Sequence, residues 1–170
     1  MITREIEITE SERMSGEPCG STDRGNVAGP GNKSKVARVL IVDDSAYDAL
    51  LIENAFREAE LPHTIALAHD GEEAMRCLRR EPPFSNEPLP DLILLDLNMP
   101  RVDGFEVLAW AKSEPTCKSI PIVVMSSSAQ REDEVKARQL GASEYIEKTG
   151  DLDELRRFVS ELHARWLEED

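Results

Sequence analysis

The chain of 170 residues fits one domain of ordinary size, and its hydrophobic content of 40% is sufficient for a buried core. The formal net charge is -14, and no cluster of lysine or arginine stands out. Direct binding to nucleic acid or to an anionic membrane surface is therefore not expected, because attraction to phosphate requires a positive face.

The sequence also predicts the compartment. No run approaches the roughly 20 apolar residues of a membrane span, and the first residues are acidic and lack an apolar core. The three cysteines, Cys19, Cys77 and Cys117, lie far apart and outside any metal-ligand spacing. Free thiols in a reducing environment are expected, so the sequence predicts a soluble cytoplasmic protein.

Residues 1–35 differ in composition from the rest of the chain. They are rich in Gly, Ser, Glu, Pro and Asn, and they contain too little apolar surface to offset the entropy of ordering. A disordered tail is therefore predicted over residues 1–35 and a folded domain over residues 36–167. A short docking motif in the tail stays an alternative, although the sequence of the tail does not indicate a partner.

From residue 36 onward, apolar runs that predict strands alternate with periodic patterns that predict helices. This alternation is typical of right-handed βαβ crossovers over a parallel sheet. A proline-rich segment, residues 81–90, interrupts it and is predicted to be an irregular loop. In chain order the predicted elements are a strand at 39–42, a helix at 46–60, a strand at 64–68, a helix at 72–80, a strand at 92–95, a helix at 104–113, a strand at 121–125, a helix at 129–140, a strand at 144–147 and a helix at 151–167.

The last predicted helix extends to Trp166 and Leu167, which can lie beyond the core. If they are exposed, the last two units, residues 130–166, offer an apolar surface for a partner or for a homodimer. The alternative is that both side chains fold back and belong to the core.

Three aspartates are expected at the carboxyl ends of strands. Asp43 and Asp44 follow the first strand directly, and Asp96 follows the third. Because the carboxyl ends of parallel strands share one edge of the sheet, these acids should converge. Three close carboxylates repel each other unless a cation neutralises them, and oxygen ligands favour Mg²⁺ over zinc. For Asp43 or Asp44 alone, a cap on the next helix stays an alternative.

Further polar residues are expected at the same edge of the sheet. Asp96 is our candidate nucleophile, since a carboxylate can attack phosphorus and form an acyl phosphate. The backbone near Asn98 can offer a carbonyl to the metal. Ser126 can donate a hydrogen bond to a phosphoryl oxygen, and Lys148 can pair with phosphate. Taken alone, Ser126 could be a turn residue and Lys148 a solvated surface charge.

Together these motifs resemble the receiver domain of two-component response regulators. The resemblance covers about residues 36–165 and rests on the pair Asp43-Asp44, on the segments 94–100 with Asp103-Gly104, on 124–126 and on 141–148. It implies a flavodoxin-like, doubly wound fold with a five-stranded parallel sheet, strand order 2-1-3-4-5, and five helices.

The resemblance also implies roles. Asp96 would accept a phosphoryl group from a sensor histidine kinase, with Mg²⁺ held by Asp43, Asp44, Asp96 and the backbone carbonyl of Asn98. Ser126 and Tyr145 would form the conformational switch, and Lys148 would assist at the phosphoryl group. The protein would then be a phosphoacceptor in signalling and not an enzyme. A phosphatase of the haloacid dehalogenase type is disfavoured because Asn98 stands where that chemistry expects a second acid.

Two details refine this resemblance. The loop 81–90, the segment 96–100 and the final Trp166-Leu167 are most similar to single-domain regulators paired with phytochromes. Thr149 follows Lys148 where the family usually has a cis proline, so a trans peptide and a different placement of Lys148 are expected. The alternative function is therefore a phosphorylation-silent receiver that acts as a scaffold.

Overall fold

The structure, a computed structural model, describes residues 36–167, and the predicted tail of residues 1–35 lies outside them. Strands and helices alternate along the chain, as predicted, with boundaries that shift by at most five residues. The strands are β1 (Ala37–Val42), β2 (His63–Ala68), β3 (Leu92–Asp96), β4 (Ile122–Ser126) and β5 (Glu144–Glu147). The helices are α1 (Ala46–Glu58), α2 (Gly71–Leu78), α3 (Gly104–Ser113), α4 (Arg131–Gln139) and α5 (Leu152–Leu162), followed by a π-helical turn (His163–Leu167).

All four strand pairings are parallel, and the strand order is β2-β1-β3-β4-β5. The predicted flavodoxin-like fold is therefore confirmed. In the register, Val42 lies opposite Leu95, and Asp96 lies opposite Met125. The residues that follow β1 thus emerge beside the end of β3.

The sheet is covered on both faces, and successive strand residues contribute to opposite cores. In β1, Leu40 and Val42 belong to the core beneath α2, α3 and α4, whereas Val39 and Ile41 belong to the core beneath α1 and α5. Both sets are fully buried. This burial on two faces explains why the strands appear in the sequence as continuous apolar runs.

Four of the five α-helices within residues 36–167 begin at a side-chain cap, and α4 has none. Ser45 caps α1, Asp70 caps α2 and Asp151 caps α5, each by accepting a backbone N–H in the first turn. At α3, Asp103 forms a reciprocal capping box with Glu106. No helix within residues 36–167 is long and apolar enough to cross a membrane.

The last helix differs from the prediction. It was expected to continue to residue 167, but α5 ends at Leu162 and a π-helical turn follows. In this turn the Trp166 Nε1 donates a hydrogen bond of 2.7 Å to Glu144 Oε1, and Arg165 pairs with the same carboxylate at 2.6 Å. Leu167 packs against the core beneath α1 and α5. The π-helical turn is therefore held against β5.

The proline-rich loop is irregular, as expected, but it contributes a core residue that the sequence analysis missed. Phe84 is 3% exposed and packs into the core beneath α2, α3 and α4. The backbone carbonyl of Pro82 accepts from Arg76 at 2.6 Å, and Glu87 pairs with Arg38. The loop is thus anchored to α2 and β1.

Candidate functional site

Three carboxylates cluster at the carboxyl edge of the sheet. One oxygen each from Asp43, Asp44 and Asp96 lies within 4.8 Å of the others. Asp43 and Asp96 are buried, at 2% and 4% exposed, while Asp44 is open to solvent. The structure thus brings together the three acids predicted from the sequence, because β1 and β3 are neighbours and end at the same level.

Asp43 is held by its own loop. Its Oδ1 accepts from the Ser45 backbone N–H at 2.9 Å, and its Oδ2 lies 2.8 Å from Lys148 Nζ. Burial raises the pKa of the Asp43 carboxyl, and the hydrogen bond from Lys148 only partly opposes this effect. The pocket therefore disfavours the ionised form of Asp43, and a bound cation would stabilise the negative charge.

Asp96 is the last residue of β3 and faces into the cluster. Its Oδ1 accepts from the Asn98 backbone N–H at 3.2 Å, and its Oδ2 lies 3.2 Å from Lys148 Nζ. Behind it, the start of α3 approaches closely: a β-carbon built on Gly104 would lie 2.2 Å from the Asp96 carbonyl oxygen. Only glycine permits this contact, which fixes the backbone that carries Asp96.

Lys148 reaches the acids directly. Its Nζ lies within hydrogen-bonding distance of Asp43, Asp48 and Asp96, and its side chain is 14% exposed. Burial alone would lower the pKa of Lys148, but the hydrogen bonds to Asp43 and Asp48 outweigh burial and raise the pKa above its usual value. The ammonium group is therefore charged at any physiological pH.

The loop after Lys148 has the peptide geometry that the sequence predicts. Within residues 36–167 the single cis peptide bond joins Pro82 to Pro83, so the peptide that links Lys148 to Thr149 is trans, as predicted. Lys148 Nζ nevertheless lies within hydrogen-bonding distance of Asp43 and Asp96. The Lys148 backbone N–H donates to the Ser126 carbonyl at 2.8 Å, which extends the pairing of β5 with β4 and aims the side chain at the pocket.

Asp48 is a site residue that the sequence analysis missed. It lies in the first turn of α1, and its Oδ2 accepts from Lys148 Nζ at 3.0 Å. An acid in the first turn of a helix is ordinarily explained by the helix dipole, so nothing in the local sequence distinguishes it. The one available signal was its position five residues after Asp43, in the first turn of the helix that follows β1.

Ser126, the last residue of β4, is fully buried. Its Oγ accepts from Asn98 Nδ2 at 3.3 Å and from the Ser128 backbone N–H at 3.1 Å. Asn98 thus contributes a side chain as well as the backbone that was predicted. These bonds tie the loop after β4 to the loop after β3, next to Asp96.

Tyr145 lies on β5 opposite Val124 of β4, and it is half-buried against the core beneath α2, α3 and α4. Its hydroxyl donates to the Ser128 carbonyl at 2.7 Å. The two predicted switch residues, Ser126 and Tyr145, therefore contact the same short loop and do not depend on a direct contact with each other.

A cavity of about 240 Å³ opens beside Lys148, between α1 and the loop that leads into α5. Its apolar wall is formed by Leu51, Ile52, Met125 and Leu155, and Asp48 and Lys148 lie at its polar end.

A doubly wound parallel sheet with clustered acids and a lysine at its carboxyl edge defines a class of flavodoxin-like α/β protein with an acidic pocket. Comparison with known proteins identifies the family within this class. The family model of the response regulator receiver domain matches residues 39–160, and the chain belongs to this family. It is thus a receiver-domain protein of two-component signalling, as the sequence motifs predicted.

Individual relatives agree with this assignment. Response regulator Rcp1 of Synechocystis sp. is 36% identical over 130 residues, which are 76% of this chain and 88% of Rcp1. The phosphorylated cyanobacterial phytochrome response regulator RcpA is 41% identical with a TM-score of 0.72, covering 78% of this chain and 94% of RcpA. The Mn(2+)-bound form of Rcp1 gives 35% identity and a TM-score of 0.71, covering 79% and 96%.

Proposed function

We propose that the protein accepts a phosphoryl group on Asp96 from a phosphohistidine of a sensor histidine kinase. The observation that carries this proposal is the pairing of Asp96 with Lys148 at 3.2 Å inside a cluster of three carboxylates. One side of Asp96 thus faces a fixed positive charge, and the other faces acids suited to a divalent cation. Both features stabilise negative charge that develops on a transferring phosphoryl group.

The transfer is a displacement at phosphorus. An Asp96 carboxylate oxygen attacks the phosphorus, the bond from phosphorus to the kinase imidazole nitrogen breaks, and that nitrogen keeps the electron pair. Lys148 stays protonated throughout and pairs with a phosphoryl oxygen. The backbone amide of Asn98, which already donates to Asp96 Oδ1, is a second donor at the same place.

The residues present fit Mg²⁺. The donor atoms are all oxygens, two of the three acids are buried, and burial raises the pKa of Asp43, so the pocket favours a compensating cation. Asp43, Asp44, Asp96 and the Asn98 carbonyl are the proposed ligands. When bound, Mg²⁺ would neutralise charge on the phosphoryl oxygens and on the acids.

The test uses the full chain with acetyl phosphate and Mg²⁺, and with radiolabelled kinase where one is at hand. Wild type should gain one acid-stable, base-labile phosphoryl group. Asp96→Asn should gain none and keep its fold by circular dichroism, and Asp153→Asn, an exposed acid on α5, should behave as wild type. Equal labelling of Asp96→Asn would refute the assignment.

The alternative is a phosphorylation-silent receiver that acts as a scaffold. It was motivated by Thr149, but Lys148 lies in the pocket although no proline follows it. This contact favours the phosphorylated receiver. Beryllium fluoride with Mg²⁺ decides between the two. It should change the fluorescence spectrum of a receiver that accepts phosphate, and it should leave the spectrum of a silent scaffold unchanged.

We further propose that phosphorylation acts through the loop after β4. A phosphoryl group on Asp96 would attract the Ser126 hydroxyl away from Asn98 and Ser128, and Tyr145 would adjust to the moved loop. The signal would leave through the last two units, residues 130–166, toward a partner or a second copy. A phytochrome-type histidine kinase is the proposed source, by similarity to Rcp1 and RcpA.

A further inference from the structure

Asp48 contacts Lys148 from outside the metal-binding cluster. Its Oδ2 lies 3.0 Å from Lys148 Nζ, and its own position is fixed because its backbone N–H donates to the Ser45 cap at 3.2 Å. Asp48 is in α1, and Lys148 follows β5, one hundred residues later in the chain. This contact ties the loop that follows β5 to a rigid helix.

Three carboxylates surround the ammonium group of Lys148. An ammonium group has three N–H bonds, and three carboxylates lie at 2.8, 3.0 and 3.2 Å, from Asp43, Asp48 and Asp96. The longest of the three contacts is the one to Asp96. A phosphoryl oxygen can take over that donor while Asp43 and Asp48 keep the other two.

The long side chain of Lys148 requires such support. Lys148 is followed by Thr149 and Gly150 in a trans-linked segment, and a β-carbon on Gly150 would meet nothing within 4 Å. The backbone of the loop is anchored, since Thr149 Oγ1 donates to Glu154 Oε2 at 2.7 Å and accepts from the Asp151 N–H at 3.1 Å. The cavity beside Lys148, however, leaves room for a long flexible side chain to move. Lysine has high rotamer entropy, so its position must be fixed by partners.

We propose that Asp48 is a positioning residue that holds Lys148 Nζ in place for the phosphoryl group on Asp96. This inference rests on the proposed function, since it assigns a role within the same reaction. Asp48 does not contact the reacting atoms. Its effect passes through Lys148, and removal of the lysine should therefore abolish it.

Removal of Asp48 has two separable consequences. A less negative pocket favours an anionic donor and lowers the half-saturating concentration of acetyl phosphate. A misplaced Lys148 lowers the maximal rate, because catalysis by positioning is sensitive to small displacements. For Asp48→Ala in the full chain we expect a maximal rate of phosphorylation about fivefold to tenfold below wild type, with a half-saturating concentration that does not rise.

The matched control is Glu72→Gln. Glu72 is an exposed acid in the first turn of α2, so this variant removes one negative charge from the first turn of a different helix. It should keep the wild-type maximal rate. In a Lys148→Ala background, Asp48→Ala should cause no further loss, because a double-mutant cycle isolates the coupling between the two side chains. Multiplicative losses in the double variant would overturn the proposal.

A second measurement does not require phosphorylation. A lysine ammonium held by three carboxylates exchanges its protons slowly, so Lys148 should give a ¹H–¹⁵N resonance that is missing from Lys148→Ala. This resonance should persist in Glu72→Gln and disappear in Asp48→Ala. Its persistence in Asp48→Ala, or its absence from wild type, would overturn the proposal. If wild type is not phosphorylated on Asp96 but the resonance behaves as expected, the proposed function fails while the positioning contact stands.

Discussion

The Tyr145 hydroxyl donates a hydrogen bond of 2.7 Å to the backbone carbonyl of Ser128, and the Ser128 N–H in turn donates to the Ser126 Oγ at 3.1 Å. Since Ser126 also accepts from Asn98, these contacts form a continuous path from β5 to the loop that follows Asp96. The loop after β4 is therefore held from both sides, and a change at either end alters its position.

Tyr145→Phe tests this connection. The variant keeps the ring in the core but removes the bond to Ser128, so we expect the free energy of unfolding to fall by about 1 kcal/mol. Urea denaturation measures this loss, and hydrogen exchange of residues 127–130 should become faster. Unchanged exchange in that loop would show that Tyr145 does not restrain it.

Divalent metal should stabilise the folded protein through the three aspartates. At free Mg²⁺ about 100-fold above its Kd, binding to the folded state adds about 2.7 kcal/mol. Asp44→Asn should lose most of this gain because it removes one acid of the cluster. In EDTA the same variant should be at least as stable as wild type, because like charges are then fewer. Thermal unfolding with and without Mg²⁺ checks both statements; an equal Mg²⁺ response in the two proteins would remove Asp44 from the site.

Gly104→Ala should disturb the backbone that carries Asp96. The added β-carbon would lie 2.2 Å from the Asp96 carbonyl oxygen and 2.6 Å from Leu97 Cα, and backbone cannot yield as a flexible side chain does. We expect a loss of about 3 kcal/mol in denaturant unfolding. Gly150→Ala is the control, because its β-carbon meets nothing within 4 Å. Equal stability of the two variants would contradict the close approach.

His63 should make stability depend on pH. It is 4% exposed, and its Nε2 has no hydrogen-bond partner within residues 36–167. Burial lowers the pKa of His63; the hydrogen bond with the Leu61 carbonyl partly opposes this effect, and the nearby His163 adds to it. A depressed pKa means that the unfolded chain binds the proton more readily. The contribution is complete above the unfolded pKa of about 6.5 and is lost as the pH falls from there through the folded pKa.

Denaturation midpoints measured between about pH 7 and pH 5 test this sign. Wild type should lose stability on acidification, and His63→Phe should lose less. His69→Asn, which changes an exposed histidine, should follow wild type. If the denaturation midpoint of His63→Phe changed with pH as steeply as that of wild type, the pH dependence would belong to other groups.

The predicted homodimer stays a prediction. Val135 on α4 and Trp166 in the terminal turn are 46% and 36% exposed, and both belong to the last two units. Truncation after His163 removes Trp166 and should convert a dimer into a monomer that still accepts phosphate, because the acidic pocket lies elsewhere. Sedimentation across a concentration series is the measurement. A full-length monomer at every concentration, with or without beryllium fluoride, would exclude the dimer.

The sequence by itself determined the fold and the pocket acids. Asp43, Asp44 and Asp96 directly follow or end apolar runs, and parallel strands bring such positions to one edge whatever the details of packing. Ser126 and Lys148 were predicted at the same edge for the same reason. Local patterns suffice to predict these positions, because a strand and the residue that follows it are recognised from neighbouring residues in the sequence.

Tertiary structure decided what depends on distant segments. Phe84 becomes core only because its loop folds onto α2 and β1, and the turn after α5 is held by Glu144 of β5, which contacts Trp166 and Arg165. Lys148 reaches the pocket despite Thr149 because Asp43, Asp48 and Asp96 surround its ammonium group. Such contacts join residues far apart in the chain, and their energies depend on burial and distance, which no local pattern encodes.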